Sequence, residues 1–577
     1  MSSELIATCR FKIQQQEKNI SANELQQLFD HIVQEFHNTK DNLPIRSIKD
    51  VVTVLTTVGD YAKYSDASIL NHHLFIILRN TLVILFQKWN TSNKLNDQEV
   101  AVFQGISVLF VWLTINVNDT NINHFKTIFV NKSLIESIIQ CINSITTNDK
   151  HLDSANLICL NKIITALHIL QYKRLELRDD PLLLDLLDSI VNFLCSTHYV
   201  ETFKRVQPDS TQLTIREEFV LLICPGYVVY CFGKDQENIC LRLCNYVLIY
   251  FTNILSIFTK LISKWNKAIV LVMKCMVSML QKLALSKYLQ RDRNQHIQLI
   301  DYINVILNSV NSVHVLRDDT GVILLSYSIV YLFSLTFEPT LLTVIKEKKL
   351  ASTILKLIDE NDDYVSVNAY HLLSLIIDEQ DIEKLENSKK IIKVFIGLIK
   401  KNIEDISRIV LVQNTLISLK SFVRHNKIRN ELIKQTTAIQ MLVQITTEKK
   451  LNIIEVQQHT IEILCILTFN QKVANILKND QMFIIHIESL LGSKQATLQK
   501  AAEKIILQLQ KDNREANTGI LISSRIFGIS TIPADHFQSN VESELRNTAK
   551  SNLAYLSKKC FCKENSTAYR KLDSSTL

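Results

Sequence analysis

From Ile354 to about Asp512 the apolar residues fall in bursts of helical spacing, separated by short polar breaks. Five bursts share one layout. They are Leu332-Phe333-Ser334-Leu335-Thr336, Leu372-Leu373-Ser374-Leu375-Ile376, Leu416-Ile417-Ser418-Leu419-Lys420, Ile461-Glu462-Ile463-Leu464-Cys465 and Ile505-Ile506-Leu507-Gln508-Leu509. Counted between their first residues (332, 372, 416, 461, 505), the steps are 40, 44, 45 and 44 residues. Polar clusters follow the bursts: Asp378-Glu379-Gln380-Asp381, His425-Asn426 and Asn470-Gln471, with Asp359 to Asp363 at a further inter-helix turn. Each unit therefore reads as a short helix, a turn and two longer helices, the last carrying the burst.

A period of this length with no alternating strand pattern inside it is the signature of armadillo or HEAT repeats. The predicted fold is an all-α armadillo/HEAT-like α-solenoid, a right-handed superhelix of stacked helical repeats. Residues 297–512 are assigned to the regular repeats and 1–296 to a degenerate helical-repeat region. Residues 513–577 form a C-terminal extension, with one helix over Ala534–Lys558 and a polar, disordered tail.

Upstream, Ser21 and Glu24 have capping-box spacing, and Leu25, Leu28, Phe29, Ile32, Val33 and Phe36 follow on one helical face. Further apolar helices are expected at Val51–Val58, Ile69–Phe86, Phe103–Leu113, Ser133–Ile145 and Leu157–Leu170. Asp180-Pro181 marks a helix start, with proline in the first turn where its missing donor costs nothing. Thr197 to Thr214 reads as a long loop. Phe219 to Leu285 is the most apolar stretch. Pro225-Gly226 interrupts one uncharged run there, and polar residues punctuate Leu243 to Thr259. Both runs fall short of the roughly 20 apolar residues of a membrane span. They are read as buried central helices, with a transmembrane role as the alternative.

Composition agrees with a helical chain. Only 9 glycines and 6 prolines occur in 577 residues, which argues against Gly-rich phosphate loops, hairpin turns and Pro-rich linkers. The net charge of +7 is spread thinly, with lysines alternating with acids, so no nucleic-acid stripe is expected. Twelve cysteines sit mostly inside apolar runs, as reduced thiols do, and a cytoplasmic location is expected. The first ten residues lack the layout of a secretory signal.

No catalytic constellation is found: no G-x-S-x-G elbow, no Walker loop, no H-E-x-x-H. Cys231, Cys240 and Cys244 lack metal-ligand spacing, and neighbouring His72 and His73 diverge by about 100° on a helix. Neither a cofactor nor a small-molecule ligand is expected. Cys560 and Cys562, beside Lys558, Lys559 and Lys563, are candidates for lipidation.

Stacked helix pairs leave a long surface lined by one helix per repeat. Asn368, Gln413, Asn414, Gln457 and Gln458 are taken as solvent-facing positions on those helices. Their amides would hydrogen-bond an extended peptide, so other proteins or extended peptides are the expected partners. The regular Trp-and-Asn ladder of nuclear-import receptors is not present.

Three phrases carry a narrower resemblance: Ser366 to Ile376, Ser418 to His425, and Ile463 to Asn470 followed by Gln499-Lys500-Ala501-Ala502-Glu503. Over Leu324 to Lys511 the chain resembles the armadillo-type region that precedes a TIR domain in a group of invertebrate TIR proteins. The resemblance implies the regulatory or scaffolding half of such a molecule. The alternating strands and helices of a TIR domain do not follow, so no NAD-cleaving residue is carried over. The expected function is a non-catalytic protein-binding scaffold or adaptor in TIR-linked signalling. Its alternatives are a truncated or divergent NAD-consuming TIR enzyme and a membrane-associated helical protein without stable insertion.

Overall fold

A computed structural model describes residues 22–38, 71–92, 94–116, 122–147, 154–173, 177, 179–231, 237–284, 293–310, 312–358, 363–383, 388–403, 409–447 and 453–514. All regular structure among them is helical. The capping box at Ser21, the Val51–Val58 helix, the Ala534–Lys558 helix, Cys560 and Cys562 lie outside the described residues. The chain divides into two compact units. Unit 1 is Met1–Tyr288 with Val313–Leu324, and unit 2 is Leu289–Ser312 with Leu325–Leu577.

Unit 1 contains α1 (Ala22–Asn38), α2 (His73–Ser92), α3 (Asp97–Asn116), α4 (Ile122–Phe129), α5 (Lys132–Thr147), α6 (Ser154–Lys173), α7 (Pro181–Leu194), α8 (Thr197–Phe203), α9 (Ile215–Glu218), α10 (Cys224–Cys231), α11 (Glu237–Lys260) and α12 (Lys267–Ala284). Helices three apart pack together, α2 on α5 and α3 on α6, so the layered logic of a repeat array extends here. The predicted start at Pro181 is observed: Asp180 caps α7 by accepting from the Leu182 N–H at 3.1 Å, with Pro181 at the first helical position.

Two expectations for this unit change. Thr197–Phe203 is helical, because Ser196 caps it and Tyr199 and Phe203 anchor it in the core. Loop is confined to the residues that follow. Pro225 does not break its helix either. α9 runs through a π-helical turn, Phe219–Ile223, directly into α10, and the Cys224 N–H donates five residues back to Phe219. The wider turn makes room for the proline ring, which would press on the preceding carbonyl in a regular α-helix.

Unit 2 starts with α13 (Arg293–Asn308) and the part of α14 (Asp319–Leu335) from Leu325 onward. Four three-helix repeats follow. They are α15–α17 (Pro339–Glu347, Leu350–Ile358, Asp363–Ile376), α18–α20 (Glu379–Glu383, Ser388–Asn402, Ile409–Phe422), α21–α23 (Asn426–Ile433, Thr436–Thr447, Ile454–Leu467) and α24–α26 (Gln471–Asn479, Gln481–Leu490, Ala496–Arg514). Within each repeat the second helix packs on the third, and the third helices α17, α20, α23 and α26 pack side by side in succession. This is the short–long–long armadillo layout, and unit 2 is an armadillo/HEAT-like solenoid.

Sequence dictates this arrangement locally. Leu372, Leu416, Ile461 and Ile505, the first residues of four bursts, are each fully buried. The polar clusters after them become starts of the next short helix: Asn470 accepts from the Lys472 N–H at 3.0 Å, and the Asp378 carboxylate from the Asp381 N–H at 2.7 Å. Ala501 and Ala502 are buried where α26 lies on α23. Small side chains there let the backbones approach closely.

Candidate protein-binding surface

The central turns of α17, α20 and α23 are buried on most sides, and their polar residues are used between helices. Asn368 on α17 donates from Nδ2 to Ser326 Oγ on α14 at 3.0 Å. His371 on α17 meets Ser418 Oγ on α20 at 2.5 Å through Nδ1, and burial pushes its imidazole down to about 4. Lys420 on α20 donates to Glu462 Oε2 on α23 at 2.7 Å and lies 3.3 Å from His459 Nδ1. Gln458 donates to the other Glu462 oxygen at 3.3 Å. Burial alone would raise the Glu462 carboxyl; the hydrogen bond to His459 and the nearby Lys420 ammonium outweigh it and hold it at about 2.

These contacts correct the placement expected for the amide ladder. Asn368, Asn414, Gln457 and Gln458 are buried rather than solvent-facing, and Gln413 is half-buried. The reason is packing. Adjacent third helices lie close enough to cover these positions, and a buried amide must find partners inside the protein. Asn368 reaches the preceding third helix, and Gln457 donates to the Thr446 carbonyl at 3.2 Å. They act as inter-helix ties.

What remains open lies at the C-terminal ends of the same helices. α17, α20 and α23 end at Ile376, Phe422 and Leu467, so positions at their C-terminal ends are offset by 46 and then 45 residues, against 44 and 45 between the starts of the bursts. Leu375, Ser421 and Ile466 form one equivalent row and are half-buried. Asp378, Arg424 and Phe469 form the next row, one turn on, and all three are exposed. Phe469 has 69% of its surface in solvent, an unusual state for a large aromatic ring. On α23 the open positions Ile454, Glu455, Glu462, Cys465 and Ile466 make a single stripe about 120° wide at helical periodicity, and Phe469 follows in the turn two residues past the helix end. Leu507 on α26 is also exposed. Such a face offers apolar contacts flanked by the acids Asp378, Glu455 and Glu462 and the Arg424 guanidinium. Among the described residues no group of histidine, cysteine and carboxylate side chains is arranged to hold a metal ion.

Sequence reasoning missed this row because it sought polar residues on the buried helices. A usable signal was present: Ile466 and Phe469 continue the stripe of Glu455 and Glu462 beyond the buried burst, directly before the Asn470 cap.

Comparison with known proteins adds a family match inside unit 2. Residues 340–495, from α15 through α25, match the family model of the V-ATPase H subunit. No curated protein matches the chain. Solved structures similar to it include an engineered protein (12% identical, TM-score 0.48, over 84% of this chain and 98% of that one). Another comes from work on the interaction between cadherin and beta-catenin (11% identical, TM-score 0.47, 84% and 86%). A third is SYS-1 (10% identical, TM-score 0.46, 88% and 96%).

Proposed function

We propose that the chain is a non-catalytic protein-binding scaffold, and that unit 2 receives an extended segment of a partner along the ends of its third helices. The observation that carries this reading is the exposed Phe469, in the turn directly after α23, beside half-buried Ile466. A large ring in water on a rigid helical base is the form of an interface anchor. Arg424 and Asp378, at the corresponding positions one and two repeats before it, would select the charge pattern of the segment. Gln413, half-buried, remains within reach of a partner; Asn368, Asn414, Gln457 and Gln458 would support the face from beneath.

Panning a random peptide library against the full chain tests this reading. One family of sequences with an apolar anchor should be enriched, and Phe469→Ala should weaken its binding by about tenfold or more at unchanged helicity. No enrichment, or binding unchanged in both Phe469→Ala and Ile466→Ser, would refute it.

The family match over residues 340–495 favours a second, more specific reading, in which the partner belongs to a V-ATPase. Purified V-ATPase retained on the immobilised chain, and released by Phe469→Ala, would support it; no retention would exclude it. The TIR-linked setting and a cytoplasmic location are further parts of the proposal. The eight cysteines whose side chains are described are unbridged, as a reducing compartment would leave them. NAD turnover by the purified chain would overturn the non-catalytic assignment.

A further inference from the structure

The helix α11 in unit 1 does not have the buried surroundings expected for it. One side is packed: Leu248, Phe251 and Leu255 are fully buried, and the helix rests on α7 and α12. The other side is open and carries Tyr246, Ile249 and Ile257, exposed by 50%, 44% and 56%. At 100° per residue, Arg242, Tyr246, Ile249, Asn253, Ile257 and Lys260 fall within an arc of about 80°, and Tyr246 and Ile257 lie about 16 Å apart along the axis. It is one straight apolar ridge with Lys260 at its C-terminal end and the ion pair Arg242–Asp188 at the other.

Basic charge collects at the C-terminal end of that ridge. No aspartate or glutamate occurs between Glu237 and Lys267, while Lys260, Lys264 and Lys267 do. Lys260, Lys264 and Lys267 are exposed at the turn that ends α11. Asn266, in that turn, donates to the Pro208 carbonyl, which brings in the loop carrying exposed Lys204, Arg205 and Asp209. Asp209 is the one acid in that loop and is outnumbered. Arg242 is committed to Asp188 and Asn192.

We propose that this face of unit 1 is a peripheral docking surface for an anionic lipid bilayer, with the Tyr246–Ile249–Ile257 ridge in the headgroup region and Lys260, Lys264 and Lys267 on the lipid phosphates. Three properties select lipid. The ridge has aliphatic side chains with a tyrosine, the amphipathic ring enriched at membrane interfaces. Its polar members, Asn253 and the flanking Asn245, are uncharged. The lysines end the ridge, where long side chains reach up to the phosphates. α11 is long and apolar enough to cross a membrane by composition. Its opposite face is core, however, and crossing would expose Leu248, Phe251 and Leu255 and dismantle the contact with α7 and α12. Contact is therefore in the plane of the surface.

Co-sedimentation of the full chain with vesicles tests the proposal. The chain should pellet with phosphatidylcholine vesicles containing about one-third phosphatidylserine, much less with phosphatidylcholine alone, and less as salt rises from about 0.05 to 0.3 M. Ile249→Ser with Ile257→Ser, and separately Lys264→Glu with Lys267→Glu, should each lower the partition constant about tenfold, with far-UV circular dichroism unchanged. No pelleting, equal pelleting with neutral vesicles, or wild-type binding by either folded variant would overturn it. Self-association of the chain through the ridge, lost in the Ile249→Ser/Ile257→Ser variant and without vesicle binding, would also overturn it. Both substitution pairs lie in unit 1, so this outcome is read separately from peptide capture by unit 2.

Discussion

Replacing Lys420 by methionine would expose how the repeats of unit 2 are tied together. The side chain of Lys420 is 5% exposed and that of Glu462 is 17% exposed, so their contact at 2.7 Å is shielded from water. The methionine keeps the aliphatic stem but leaves the Glu462 carboxylate with His459 and Gln458 alone. Holding the carboxyl at about 2 rather than 4.5, against the opposing effect of burial, corresponds to about 3 kcal/mol net. Breaking a buried pair typically costs about 3–5 kcal/mol, and the remaining partners and partial exposure put this case at about 2–3 kcal/mol. Removing both charges, as Lys420→Met with Glu462→Leu, should recover most of that loss, because no unpaired charge remains. The sign with pH is fixed by the lowered carboxyl: the stabilisation is complete above about pH 4.5 and is lost as the pH falls toward 2. A chain of two units need not unfold in one step, so the assay is hydrogen exchange in the full protein. Amides of α20 and α23 should lose protection in Lys420→Met and regain it in the double variant, while those of α3 and α6 stay unchanged. Unchanged protection in the single variant, or a double variant no better than the single, would refute the reasoning.

Acid should weaken unit 2 before Glu462 titrates. Burial lowers His296, which meets Tyr331 at 2.8 Å, and His371 to about 4 each, from 6.5. The unfolded chain then binds more protons below about pH 6.5, and each histidine removes about 2 kcal/mol by pH 5; thermal midpoints at pH 7 and pH 5 should converge in His296→Gln/His371→Gln. Gly321→Ala should destabilise α14, although alanine is favoured over glycine by about 1 kcal/mol in helices. The new Cβ would meet the Leu316 backbone at 2.3 Å, and overpacking of this kind costs about 1–3 kcal/mol or more, measured by exchange in α14. Ala502→Leu should separate α26 from α23 at a cost of about 1–3 kcal/mol, seen as lost protection in α26 only. Phe469→Ala should leave stability within about 0.5 kcal/mol, as expected for a side chain that packs on little, with thermal melts as the check.

The repeats were legible because they rest on one signal, apolar spacing, which recurs with the same period at Leu372, Leu416, Ile461 and Ile505. Turn chemistry at Asp378 and Asn470 was legible too, since a cap acts on its own helix. Tertiary burial was not. Asn368 and Asn414 look like surface residues by type, and only the closeness of neighbouring third helices makes them core. Tyr246, Ile249 and Ile257 are the reverse case, apolar by type and open because none of the described helices covers that side of α11. Pro225 misled through local chemistry: a proline breaks an α-turn, and a widened turn before it is visible only in three dimensions.

Site-specific photocrosslinking in the protein's own cells tests the binding role most directly. A photoreactive residue replaces Phe469 or Ile466 in turn, with exposed Ile485 on α25 as the control site. A scaffold that receives its partner along the third-helix ends predicts one common crosslinked protein at 466 and 469 that is absent at 485. No crosslinked partner at 466 and 469, or the same protein captured equally at 485, would contradict it.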